Sequence, residues 1–169
     1  MNRTEKEEYI IGCICLLSNK IIGFGDAMLP DITFRQWFLL LMISKMGENE
    51  KNINSIAEFT GTTRQNVKKL LTPLERKGYV VIGKSDSDAR ALKVELTEKA
   101  YRYFEENAET AAAETDRLFS SFSDGEIGSL SKNLSKLLGI GILVKTTVTE
   151  YENAILTILT VRYDHQEEC

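Results

Sequence analysis

The sequence is poor in the residues that most chemistry needs. One histidine and three cysteines occur in 169 residues. The histidine, His165, lies near the end, and no His/Cys cluster has metal-ligand spacing, so no metal site is expected. There is no phosphate-cradling glycine loop and no G-x-S-x-G motif. No nucleophile, base and metal set converges, which argues against an enzyme and against a cofactor. Cys13, Cys15 and Cys169 are odd in number and lack a spaced framework, which fits reduced thiols in a cytoplasm. No stretch reaches the roughly 18 apolar residues of a membrane span. The longest clean run, Trp37 to Ile43, reads as a core helix. The N-terminal MNRTEKEEY is charged and lacks a secretory pattern. A cytoplasmic protein that does not enter the membrane is therefore expected. Net basic charge is also missing, at −4 overall. That excludes a protein basic all over but leaves room for a local basic face.

A hydrophobic content of 43% allows a real core, in one domain or one compact unit with appendages. Thr4 with Glu7 predicts a capped helix start. Ile10, Cys13, Ile14, Leu17, Ile21 and Phe24 follow at helical spacing, and Ile11, Cys15 and Ile22 widen the stripe. A helix apolar around so much of its girth is expected to be covered from more than one side, which points to a subunit interface. Leu29–Pro30–Asp31 breaks the chain, and Thr33 with Gln36 opens the helix carrying Trp37. A polar loop from Gly47 to Asn52 leads to a short helix ended by Gly61. Thr62 or Thr63 caps a longer helix to about Lys77, in which Pro73 is expected to cause a bend, and Gly78 stops it.

The stretch GKSDSDARALKVELT then reads as a hairpin. Leu92, Val94 and Leu96 alternate with Lys93 and Glu95, the period of a half-buried strand. Thr97 is expected to cap a helix from Glu98 to about Phe119, and Ser123 with Glu126 another through Leu138. After Gly139 strand and helix signals compete. The fold class is mostly α with a small β-hairpin.

Short helix, glycine turn, longer helix and hairpin make a helix-turn-helix with a wing. Val67, Leu70, Leu71 and Leu74 form the buried stripe of the second helix, leaving its other side free for a DNA major groove. Arg64 and Gln65 stand in its first turn, where unpaired N–H groups and the dipole attract phosphate. Between Thr62 and Lys93 eight basic residues, Lys84 among them, face three acids, a local charge of +5 that leaves −9 for the remainder. Arg90 at the hairpin tip suits a narrow minor groove, and Asp88 is placed to orient it or the turn backbone.

NINSIAEFTGTTRQNVKKLLTPLERKGYV followed by SDSDARALKVELTEKA resembles the winged helix of MarR-type bacterial transcriptional regulators. Its most specific parts are Asp88–Ala89–Arg90 and the L-T-E-K-A that ends at Ala100. The resemblance is strong from Thr33 to Ala100 and extends from Thr4 to Leu138. It implies a homodimer with intertwined terminal helices: dimerisation helix in 1–30, winged helix in 31–98, dimerisation helices and tail in 99–169. It implies that Arg64, Gln65, Asn66, Lys68 and Lys69 face DNA and that Arg90 matches the family's wing arginine; with Thr63, Lys84 and Asp88 these make the expected interface with a pseudo-palindromic duplex. It also implies a repressor released by a small phenolic or lipophilic ligand, or by cysteine oxidation. The tail after Gly139 departs from the family's closing helix.

Simpler readings stand beside these. Cys13 and Cys15 are candidates for oxidant sensing, yet buried cysteines usually act as small hydrophobes, and residues two apart point to different helix faces. No tyrosine lies between Cys15 and Thr33 to activate them. Phe34, Trp37, Phe38 and Met42 are candidates for a ligand pocket, although aromatic and Met side chains at helical spacing more often form core. A winged helix that binds a protein instead of DNA is the alternative function.

Overall fold

In the computed structural model, residues 1–47, 51–84 and 92–139 are described. The chain divides into two compact units, Met1–Phe38 and Leu39–Cys169. Expectations for the wing tip and for the tail after Gly139 lie outside the described residues.

The first unit is built on α1, Arg3–Met28. Its cap is Asn2, not Thr4. The Glu5 N–H donates to Asn2 Oδ1 at 3.0 Å, and the Asn2 N–H donates to Glu5 Oε2 at 2.8 Å. Asparagine is at least as good an N-cap as threonine, and Glu7 is taken instead by Arg3, at 2.8 Å one turn away. The apolar side chains of α1 are largely exposed: Ile11 is 63%, Leu16 64% and Leu17 53% accessible. The expectation that nothing here is apolar enough for a membrane fails for this helix, which is long and apolar enough to cross one by length and composition. Ser18–Asn19–Lys20 splits its apolar stretch in two, so no single run is long although the average over the helix stays high.

Gly25 is the one buried residue of α1. A Cβ there would collide with the Phe34 ring, which lies against it. Asp26 Oδ1 accepts from the Phe34 N–H at 2.6 Å and ties the end of α1 to the start of α2, Phe34–Lys45. The expected Thr33–Gln36 box is formed in both directions, at 3.0 and 3.3 Å.

In the second unit Leu39 to Ile43 of α2 are buried, as are Ile53, Ile56 and Ala57 of α3, Ile53–Phe59. Val67, Leu71 and Leu74 of α4, Arg64–Arg76, are fully buried, with Leu70 only half so. Asn52 caps α3 through its side-chain oxygen, at 3.0 Å from the Asn54 and Ser55 N–H groups. Gly61 and Gly78 end α3 and α4 with φ of 63° and 78°, where a side chain is costly. Pro73 lies inside α4 without ending it, and the Lys77 N–H still reaches the Pro73 carbonyl at 3.0 Å.

Strands β1, Val80–Lys84, and β2, Leu92–Leu96, pair antiparallel with Val80 opposite Leu96 and Ile82 opposite Val94. Only Val94 of β2 is buried; Leu92 is exposed, so the alternation of the sequence overstates the buried face. The far end of the expected polar loop joins this sheet, since Asn52 bridges to Lys93 and the Val94 N–H donates to the Lys51 carbonyl at 2.7 Å.

Thr97 precedes α5, Glu98–Phe119, but its side chain does not cap it. The hydroxyl turns back to the Gly78 and Tyr79 carbonyls, at 2.7 and 3.1 Å. Helix α6, Asp124–Gly139, starts at the Ser123–Glu126 pair. The bond there is one-sided, because both the Ser123 N–H and its hydroxyl donate to Glu126 Oε2. Leu130, Leu134, Leu137 and Leu138 of α6 are exposed.

Candidate nucleic-acid interface

The candidate interface is the outer face of α4 and its approach from α3. Three fully buried apolar residues fix the rotation of α4 about its axis. Arg64, Gln65, Lys68, Lys69 and Thr72 are consequently exposed. Thr63 is the N-cap: its hydroxyl accepts from the Asn66 N–H at 3.2 Å. Thr62 takes the second role, accepting from the Asn66 side-chain amide at 3.0 Å. The two threonines that the sequence leaves as alternatives thus share Asn66.

The first turn of α4 contains no acidic residue. Its free N–H groups and the positive end of the helix dipole therefore stand beside the Arg64 guanidinium with no compensating carboxylate on that turn. The acid of α4, Glu75, is near the other end, where its carboxylate accepts from the Ile82 N–H of β1 at 3.3 Å. On the wing Lys93 is paired with Glu95 at 2.6 Å, so its charge is partly committed. Lys84 is exposed at the last described position of β1. Asp88 and Arg90 lie outside the described residues.

Thr63, Arg64, Gln65, Asn66, Lys68 and Lys69 are therefore gathered on one helix start, with Lys84 on the neighbouring strand. Sequence reasoning missed Asn54. It lies ten positions before Arg64, on α3, yet its side-chain oxygen accepts from Arg64 Nη1 at 3.3 Å. Asn54, Ala57, Thr62, Thr63 and Arg64 line an open depression of about 460 Å³. Helical periodicity does not connect residues on two helices joined by a turn, so no sequence signal pointed to this pair.

Of the remaining candidates, Phe34 stacks on Trp37 and on Phe38, with ring centroids 5.5 and 6.5 Å apart. Met42 is buried in α2 among Leu40, Leu41 and Ile43. Cys13 is half-buried and Cys15 exposed. Tyr9, also unanticipated, sits one turn before Cys13. Cys13, first as a hydrogen-bonding neighbour and then through its charge, raises the Tyr9 phenol above the ordinary tyrosine value.

Residues 31–91 match the profile described as the MarR family. The chain is 28% identical over 104 residues to YfiV, an HTH-type transcriptional regulator of Bacillus subtilis, covering 62% of this chain and 64% of YfiV. The match thus spans less than two thirds of YfiV. It is 23% identical over 135 residues to the transcriptional repressor MprA of Escherichia coli, covering 78% of this chain and 77% of MprA. Among solved structures it is similar to the DNA complex of MepR from S. aureus. That likeness has a TM-score of 0.67 and 25% identity, and covers 75% of this chain and 93% of MepR.

Proposed function

We propose, from the match of residues 31–91 to the MarR family, that the protein is a sequence-specific DNA-binding transcriptional regulator acting as a repressor. The observation that carries the reading is the exposed, acid-free start of α4, with Arg64, Lys68 and Lys69 opposite a fully buried apolar stripe. This is what entry into a major groove requires: a rigidly held helix, a polar outer face and cations near phosphate. MprA, named a repressor, and MepR, solved on DNA, support it. Thr63, Arg64, Gln65, Asn66, Lys68, Lys69 and Lys84 contact the duplex, and Arg90 does so from the wing, oriented by Asp88 directly or through the turn backbone.

The protein acts as a cytoplasmic homodimer, with 1–30 and 99–169 supplying the dimer contacts. Support comes from the exposed apolar side chains of α1 and, separately, of α6, which a second copy would remove from water. Two α4 helices then address a pseudo-palindrome with half-sites about one helical turn apart. A small lipophilic or phenolic molecule releases the repressor; the Phe34–Trp37–Phe38 ring cluster is the candidate contact. A second mode of release is oxidation of Cys13 or Cys15, which are half-buried and exposed respectively.

The deciding experiment is a mobility shift on the DNA upstream of the protein's own gene, at several salt concentrations, with and without peroxide. Competitor-resistant binding that weakens with salt is the expected result. No shift there, and none on random duplex at low salt, would transfer the winged helix to a protein-binding role.

A further inference from the structure

Arg64 occupies an electrostatically awkward position. It is the first residue of α4, where the helix dipole is positive and a cation is disfavoured. Something must hold its guanidinium in place, and the usual choice, a carboxylate, would cancel the charge that phosphate needs. The structure uses a neutral acceptor instead. Asn54 Oδ1 accepts from Arg64 Nη1 at 3.3 Å. Asn54 is itself anchored, because its backbone N–H donates to the Asn52 cap at 3.0 Å. Of the other residues lining the depression, Thr62 is engaged by Asn66 and Thr63 by the α4 backbone. Arg64 has five N–H donors, so one bond to an amide leaves four donors and the whole positive charge for a ligand.

We infer that Asn54 is a positioning residue for DNA binding: it aims the Arg64 guanidinium from the start of α4 without neutralising it. The inference rests on the DNA-binding reading. It also explains why the residue is an amide. Aspartate would offer the same acceptor geometry but would form an ion pair with Arg64 and repel phosphate.

The test is a double-mutant cycle on DNA affinity. The probe is the tightest duplex that the full-length wild-type protein recovers from a random-sequence pool, titrated by fluorescence anisotropy at several salt concentrations. Asn54→Ala is expected to raise Kd roughly threefold to tenfold. The salt slope stays unchanged, since no charge is lost. Arg64→Ala is expected to raise Kd further and to reduce the slope by about one. In the Arg64→Ala background, Asn54→Ala should have no further effect, because its only route to DNA is gone. Asn54→Asp should bind more weakly than Asn54→Ala. An unchanged Kd for Asn54→Ala, or the same loss in both backgrounds, overturns the positioning role. Wild-type protein that recovers no duplex overturns the DNA-binding reading, and the inference with it, before any variant is made. Both residues are exposed, so thermal midpoints within a degree or two of wild type are expected and separate aiming from folding.

Discussion

Lys99 Nζ lies 4.4 Å from the centroid of the Tyr79 ring and donates to the Lys77 carbonyl at 2.9 Å. One side chain in the first turn of α5 thus covers the exit of α4. Thr97 adds its hydroxyl bonds to Gly78 and Tyr79, and Tyr79 meets Tyr103 edge to face at 5.4 Å. The start of α5 and the end of the proposed recognition helix are therefore fastened at several points. Thr97→Val keeps the shape and removes the hydroxyl, so a loss of about 1–2 kcal/mol is expected. A urea melt at constant slope would measure it, and an unchanged midpoint would show that water replaces these bonds.

Cations proposed to meet DNA from α4 and from the wing should differ in what they contribute. Lys68→Ala is expected to weaken binding equally on matched and scrambled duplexes, with the salt slope lower by about one. Arg90→Ala, on the wing, should cost roughly 1–3 kcal/mol and be felt at the flanks of the site. Anisotropy titrations on duplexes altered at the flanks or at the centre distinguish the two. Equal losses everywhere for Arg90→Ala would remove it from the minor groove.

Acid should loosen α6 at its first turn. The Ser123 N–H donates to Glu126, its hydroxyl does so as well, and together they hold the carboxyl below the ordinary glutamate value. A depressed folded-state pKa means that the stabilisation is complete above the unfolded pKa. It is lost as pH falls through the folded one. The Glu126 carboxyl carbon should therefore titrate, by NMR, below a free glutamate. Glu126→Gln should remove that pH dependence.

The exposed apolar side chains of α1 predict a particular failure. Leu17→Glu places a charge among them, and the proposed dimer should dissociate or fail to form. Sedimentation velocity should show a smaller species than wild type at the same concentration. If the variant sediments as wild type does, Leu17 is not in the interface.

Tyr9 offers a spectroscopic handle on Cys13. Cys13, as a hydrogen-bonding neighbour and then through its charge, raises the Tyr9 phenol above the ordinary value. In a difference titration of phenolate absorbance, Cys13→Ala should move one tyrosine of the six back to lower pH. No movement would remove Cys13 as the cause of the raised phenol value.

Local rules were readable in the sequence wherever one segment settles its own conformation. The Thr33–Gln36 box, the Gly61 and Gly78 stops, and the span from Glu98 to Phe119 all follow from neighbouring residues. Rules failed where a side chain had a better partner farther away. Thr97 left its own helix for carbonyls eighteen and nineteen residues earlier. Thr4 was displaced as a cap by Asn2, which has the stronger box. The same limit hid Asn54, whose partner is on the next helix, whereas the basic character of α4 needed only counting.

Gly25 ties the composition of α1 to that of α2. Since a single added carbon would meet the Phe34 ring, residues 25 and 34 cannot vary independently. A relative that carries alanine or anything larger at position 25 should carry a smaller side chain at 34, or a different path from α1 into α2. Position 34 also begins the ring stack with Trp37 and Phe38, so such a change would reach the aromatic cluster as well. The pair is thus a place where drift along one helix reshapes the aromatic surface of the next.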